Sequence, residues 1–129
     1  MSNFIIDEQQ LHLQLCIWIK HEFPNIEFNS DLSGINQSKR QRVISSQLRS
    51  GRAFPDLIIY EPKGEYHGLF IELKRPGTII YKKNGEIVKN KHIQEQEQKI
   101  FKLREKGYCA AFCVGFDDAQ QFIRRYMKQ

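Results

Sequence analysis

Two acidic side chains and one lysine stand inside segments that are otherwise apolar. Asp56 begins the run 56–60, and Glu72 and Lys74 lie within the run 69–74. Both runs are rich in β-branched and aromatic residues, which is typical of strands. Charged groups are costly to bury without a partner, so their presence here indicates ion pairing, proton sharing or the binding of a cation.

The predicted pairing of the two strands places the carboxylates opposite each other. If the connecting loop is centred on Gly64, paired residue numbers sum to 128, so Ile58 faces Phe70 and Asp56 faces Glu72. Like charges at this separation, about 5 Å between Cβ atoms, destabilise a sheet. A shared proton, the Lys74 ammonium group or a divalent cation such as Mg²⁺ would offset the repulsion, and the pattern alone leaves these three open.

Two predicted helices present polar side chains on their apolar stripes. The first helix, from Asp7 to about Phe23, carries Glu8 three residues before Leu11 on the inward stripe. A later helix, from His92 to Lys106, carries Gln96 on its inward stripe. Glu8 would supply a third carboxylate and Gln96 an amide to the same site.

The remaining pattern predicts five further elements. These are a short strand over 26–33, a basic helix over 37–49, a second hairpin over 79–88 with an Asn84-Gly85 turn, a strand over 108–114 and a helix over 117–126. Strands and helices alternate along most of the chain, which favours an α/β fold.

The composition indicates one soluble globular domain, residues 1–129. The chain is 40% hydrophobic and 27% charged, and no apolar run approaches the roughly 20 residues of a membrane helix. No secretory signal is visible at the N-terminus, so a cytoplasmic location is expected. Cys109 and Cys113 would lie about 13 Å apart on one strand, too far for a disulfide, and we expect reduced thiols.

The positive charge is concentrated in two stretches. The net charge is +5, and residues 37–52 hold five Lys and Arg residues and no acid, while residues 74–106 hold ten bases against four acids. This distribution suits a polyanionic partner, although solvated helix faces are an open alternative. The candidate phosphate contacts are Lys39, Arg40, Arg42, Arg49 and Arg52 in the basic helix and Lys82 and Lys83 in the second hairpin.

The spacing of the acidic residues carries a resemblance. Pro55-Asp56 is followed after 15 residues by Glu72-Leu73-Lys74, and Gln96 and Gly115 come later in the chain. This pattern resembles the VRR-NUC family of the PD-(D/E)XK nuclease superfamily, particularly its compact stand-alone phage and bacterial members. The resemblance extends from Glu8 to Tyr126.

The resemblance implies a restriction-endonuclease-like α/β core of order α-β-β-β-α-β, a mixed sheet flanked by helices, with an inserted hairpin at about 79–89. It implies a bound Mg²⁺ or Mn²⁺ and an active site in this chain. The implied metal ligands are Glu8, Asp56, Glu72 and the Leu73 carbonyl, with Glu22 as an alternative to Glu8, and the implied catalytic residues are Asp56, Glu72, Lys74 and Gln96.

The expected function is therefore a metal-dependent DNA endonuclease, selective for branched DNA such as junctions or flaps, acting as a homodimer in the cytoplasm of a bacterium or a phage-infected host. The alternatives are a nucleic-acid-binding module that does not cut, and a phosphatase acting on small substrates. No phosphate-binding glycine loop is present. The four histidines show no metal-ligand spacing among themselves. His92 is expected at the surface or at the helix start, and an approach to the phosphate from one helical turn before Gln96 is the alternative.

Overall fold

The structure, a computed structural model, describes residues 7–31 and 38–129. Within them a four-stranded mixed sheet of order β1-β2-β3-β4 is antiparallel from β1 to β3 and parallel between β3 and β4. The elements are α1 (Glu8–Glu22), β1 (Phe28–Ser30), α2 (Lys39–Gln47), β2 (Leu57–Ile59), β3 (Leu69–Lys74), α3 (Lys91–Glu105), β4 (Cys109–Val114) and α4 (Phe116–Met127). This order contains the predicted α-β-β-β-α-β core.

The predicted register between β2 and β3 is confirmed. Ile58 pairs with Phe70, and Leu57 pairs with Ile71. Alternate residues of β3 point to opposite faces of the sheet, and Ile71 belongs to a fully buried cluster with side chains of α1 and α4. Phe70 packs on the other face against a cluster that includes Ile100 of α3. The sheet is therefore flanked by helices on both faces.

Helix α1 begins and packs as its sequence predicts. Asp7 is the N-cap, its side chain accepting a hydrogen bond from the Gln10 backbone N–H in a capping box that satisfies two otherwise unpaired donors. Leu11, Leu15 and Ile19 are fully buried at helical spacing. The cap and the apolar stripe together fix which end of α1 reaches the acidic residues.

The predicted strand over 26–33 and the predicted basic helix are shorter in the structure. The strand over 26–33 is confined to β1, and α2 ends at Gln47 rather than Arg49, with Leu48 as its C-cap. No side chain of α2 is buried, so nothing packs against a further turn. Positions 32, 33 and 37 of these predictions lie outside the described residues.

The second predicted hairpin is reduced to a turn closed by one bridge. Tyr81 pairs with Ile87, and the Lys82 N–H donates to the Glu86 carbonyl over 2.7 Å, but the segment contains no named strand. Gly85 has a φ of 87°, in the left-handed region that favours glycine, whereas Asn84 lies outside that region, and the Gly85 N–H donates to the Lys82 carbonyl over 2.9 Å. The turn therefore spans Lys82 to Gly85 instead of the two residues Asn84 and Gly85. Ile80 is buried, whereas the tip around Gly85 is exposed, so no layer supports longer strands.

The three cysteines, all within the described residues, form no disulfide. Cys16, Cys109 and Cys113 are free thiols. Among the described residues, no helix has the length and apolar character needed to cross a membrane.

Candidate active site

Asp56 and Glu72 meet where β2 begins and β3 nears its end. Asp56 directly precedes Leu57, whose partner Ile71 directly precedes Glu72, so the two carboxylates are neighbours across the pair of strands. The Leu73 N–H donates to Asp56 Oδ1 over 3.1 Å, which fixes the orientation of that carboxylate. The structure thus brings together the acidic pair that the register predicted.

Glu72 is buried, and neighbouring charges act on its carboxyl group. Its side chain is 4% exposed, and its Oε1 lies 3.7 Å from the Lys74 ammonium nitrogen. Burial, followed by the Asp56 charge, raises the pKa of Glu72 to about 8, with Glu8 adding to the rise and Lys74 opposing it. Asp56 and Glu8 add negative charge near Glu72 that Lys74 offsets only in part, and a bound cation would offset it further.

Gln96, on α3, contacts Glu72 of β3. Its Nε2 donates to Glu72 Oε1 over 2.7 Å and lies 3.1 Å from His92 Nε2. Gln96 is 5% exposed, and its Oε1 has no hydrogen-bond partner among the described residues. His92 is exposed, as expected, at the start of α3.

His12 also belongs to the site, although the sequence patterns described above did not predict it as a site residue. It is 2% exposed, its Nδ1 forms a hydrogen bond with Ser30 Oγ, and its Nε2 lies 3.1 Å from Asp56 Oδ2. The signal in the sequence was the four-residue spacing from Glu8 to His12, which places both on one face of α1.

Glu8 reaches the site from an exposed position rather than the predicted inward one. It occupies the first turn of α1 and is exposed, whereas Leu11 and Leu15, further along the helix, are buried. One ligand atom each from Glu8, His12 and Asp56 lie within 4.8 Å of one another. The alternative, Glu22, lies at the other end of α1, about 21 Å away along the helix, beside Arg124.

The architecture has a counterpart among solved structures. A structure of a protein named "VRR_NUC domain protein" superposes with a TM-score of 0.67 at 24% sequence identity, covering 99% of this chain and 92% of that chain. No protein-family profile and no curated protein matches the sequence. The chain has the fold of a VRR_NUC domain. The restriction-endonuclease-like fold predicted from the sequence is thereby confirmed.

On this VRR_NUC fold, the donor set suits a divalent cation. Glu8, Asp56 and Glu72 offer carboxylate oxygens, the ligands that Mg²⁺ and Mn²⁺ prefer, and the Leu73 carbonyl stays a predicted ligand. Burial, followed by the negative charge of Asp56, raises the pKa of Glu72, and Lys74 opposes that rise only in part. The residues present fit the implied metal.

The residues predicted to contact phosphates lie on the protein surface. They take no part in the contacts among His12, Asp56, Glu72 and Gln96. Lys39, Arg40 and Arg42 are exposed on α2. Arg49 forms a 2.7 Å ion pair with Asp31, which positions its guanidinium group. The remaining candidates, Arg52, Lys82 and Lys83, are also exposed.

Proposed function

We propose that the chain is a divalent-metal-dependent DNA endonuclease of the VRR-NUC family. The observation that carries the proposal is the carboxylate pair Asp56 and Glu72, held on adjacent strands with Lys74 beside it. Like charges in this arrangement destabilise the sheet, so their presence is best explained by a cation and its chemistry. The VRR_NUC fold supports the same assignment.

The chain's own residues divide the task of phosphodiester hydrolysis. Glu8, Asp56 and Glu72 would hold the cation, which when bound activates water and polarises the phosphate. Lys74, on the same face of β3 as Glu72, orients the attacking water or stabilises negative charge on the phosphate. Gln96 holds the Glu72 carboxyl in place through its 2.7 Å hydrogen bond.

The charge distribution supports DNA as the substrate. The exposed bases Lys39, Arg40 and Arg42 form one stretch, and Lys82 and Lys83 form another on the turn over 79–88. Surface bases of this kind bind phosphates without reading sequence. We infer selectivity for branched DNA, such as junctions or flaps, in a bacterium or a phage-infected cell.

The working unit proposed here is a homodimer. Cutting two strands of a branched substrate calls for two active sites at a fixed separation, and the described part of one chain supplies one carboxylate cluster, that of Glu8, Asp56 and Glu72. Two-fold symmetry would place both clusters on one face of the pair.

The experiment that tests the function uses purified protein and labelled flap, four-way junction, single-stranded and duplex DNA of matched sequence. Each substrate is incubated with Mn²⁺, with Mg²⁺ and with EDTA. We expect cleavage with either metal, fastest on branched substrates, and none in EDTA. Binding without cleavage under every metal condition would instead identify a nucleic-acid-binding module, and equal rates on all four substrates would remove the structure selectivity.

A further inference from the structure

We propose that His12 is a nitrogen ligand of the bound cation, beside Glu8 and Asp56, and that this ligand makes the site favour Mn²⁺ over Mg²⁺. The inference rests on the proposed metal-dependent function. It goes further by adding a residue from α1 and by naming the metal preference that this residue confers.

The placement of His12 supports direct coordination. His12 is 98% buried, yet one of its ring nitrogens lies within 4.8 Å of one oxygen each from Glu8 and Asp56. The Nε2–Oδ2 separation from Asp56 is 3.1 Å. Neighbouring ligands of an octahedral ion with bonds of about 2.1 Å lie about 3.0 Å apart, so one cation can contact both atoms.

Ser30 can hold the ring form that coordination needs. Its Oγ forms a hydrogen bond with His12 Nδ1, and a hydroxyl oxygen can accept the Nδ1–H of a neutral imidazole. In that tautomer Nε2 carries no proton. The Nε2 lone pair then faces the carboxylates. Without a cation the lone pair and the carboxylates repel each other, and a bound cation would be coordinated by both.

A nitrogen ligand changes which ions the site holds best. Mg²⁺ prefers oxygen ligands and retains several waters, whereas first-row transition ions accept imidazole readily. Mn²⁺ is the ion in that series that also suits carboxylates. A mixed site of this kind therefore binds Mn²⁺ more tightly than an all-oxygen site of equal charge would.

The competing role for His12 is that of a hydrogen-bond donor that positions Asp56. His12→Gln separates the two roles, because the glutamine amide reaches the position of Nε2 and can donate to Asp56 but offers no imidazole nitrogen. His21→Gln is the matched control, since His21 lies on the same helix and is exposed.

The experiment combines pulsed electron paramagnetic resonance of bound Mn²⁺ with competition titrations of Mn²⁺ and Mg²⁺. For the wild type and His21→Gln we expect a ¹⁴N coupling to Mn²⁺. In His12→Gln we expect that coupling to vanish and Mn²⁺ affinity to fall about tenfold or more, with Mg²⁺ affinity changing by less than about threefold. Ser30→Ala should lower Mn²⁺ affinity by a smaller factor.

Circular dichroism checks that His12→Gln is folded. Wild type labelled with ¹⁵N-histidine gives a second readout that needs no substitution, because the coupling should shift to the ¹⁵N frequencies. Bound Mn²⁺ without nitrogen coupling, or a coupling or Mn²⁺ affinity retained in folded His12→Gln, overturns the ligand role even if DNA is cleaved. A wild type that neither binds Mn²⁺ nor cleaves DNA overturns the proposed function as well.

Discussion

The Gln96 side-chain amide donates a hydrogen bond to the Glu72 carboxyl across 2.7 Å, joining α3 to β3 in the interior. Both side chains are at least 95% buried. The contact means that a displacement of α3 moves a carboxylate of the acidic cluster. It also leaves Gln96 Oε1 without a partner among the described residues, so the amide is oriented by Glu72 and His92.

Gln96→Ala should therefore weaken both the fold and the metal site. Removing the amide leaves the buried Glu72 carboxyl without its strongest donor, and we expect the free energy of unfolding to fall by about 1–3 kcal/mol. Urea denaturation at pH 7 measures this, with Gln98→Ala, an exposed position on the same helix, as the control. Equal stability of the two variants would show that the hydrogen bond contributes nothing.

Glu72 should make the metal-free protein less stable as the pH rises. Its pKa is raised from 4.5 to about 8 in the folded chain, mainly by burial and then by Asp56. Between those values the folded state retains a proton that the unfolded state has lost, so the free energy of unfolding decreases with pH across that window. In Glu72→Gln this decrease should be absent, because the amide does not titrate.

Thermal unfolding in EDTA at pH 5, 6.5 and 8 tests this dependence. The wild type should lose stability relative to Glu72→Gln at each step. A wild type whose unfolding temperature rises from pH 5 to pH 8 relative to that variant would contradict the pKa direction.

Local patterns predicted the parts of the site that lie on regular elements. The loop at Gly64 and the 2-residue period of β3 determine the register. Asp56 and Glu72 are each eight residues from Gly64, so the register predicts that they lie opposite each other. The stripe of Ile93, Gln96 and Ile100 recurs at helical spacing, and Gln96 is buried as that spacing requires. Both inferences use geometry within one hairpin or one helix.

The features that the sequence did not show depend on packing between distant segments. His12 reaches Asp56 across 44 positions because α1 docks on the sheet, and no local pattern encodes that docking. The exposure of Glu8 likewise depends on how α1 packs against other segments. The turn over 79–88 includes Asn84 and Gly85, but longer strands would need a supporting layer that it lacks.

The basic surface of α2 should contribute to DNA affinity without affecting sequence preference. Replacing Lys39, Arg40 and Arg42 with Gln removes three exposed positive charges and should flatten the plot of log affinity against log salt by up to about 2.7. Fluorescence anisotropy across 50–300 mM salt measures the slope. The control replaces Lys102, Lys106 and Lys128, which are exposed on or after other helices. If the slope of the α2 variant equals that of the wild type, the basic side chains of α2 are solvated and do not contact DNA.

If the working unit is a homodimer, the mass in solution and the dependence of the cleavage rate on enzyme concentration should show it. Light scattering at micromolar concentration should give twice the 15.3 kDa of one chain. Cleavage at low nanomolar enzyme should fall faster than linearly as dimers dissociate. A single-chain mass together with strictly linear kinetics would reject the dimer.

If Asp56 is part of a metal-dependent cleavage site, replacing its carboxylate with an amide should abolish cleavage and preserve DNA binding. Cleavage of labelled junction DNA in Mn²⁺ and binding of the same DNA in EDTA are measured for the wild type, for Asp56→Asn and for Asp117→Asn, an exposed control on α4. We predict that Asp56→Asn binds DNA within a few-fold of the wild type but cleaves it at least about 100-fold more slowly, while the control is unchanged. Cleavage by Asp56→Asn at the wild-type rate, or by the wild type in EDTA, would contradict the account.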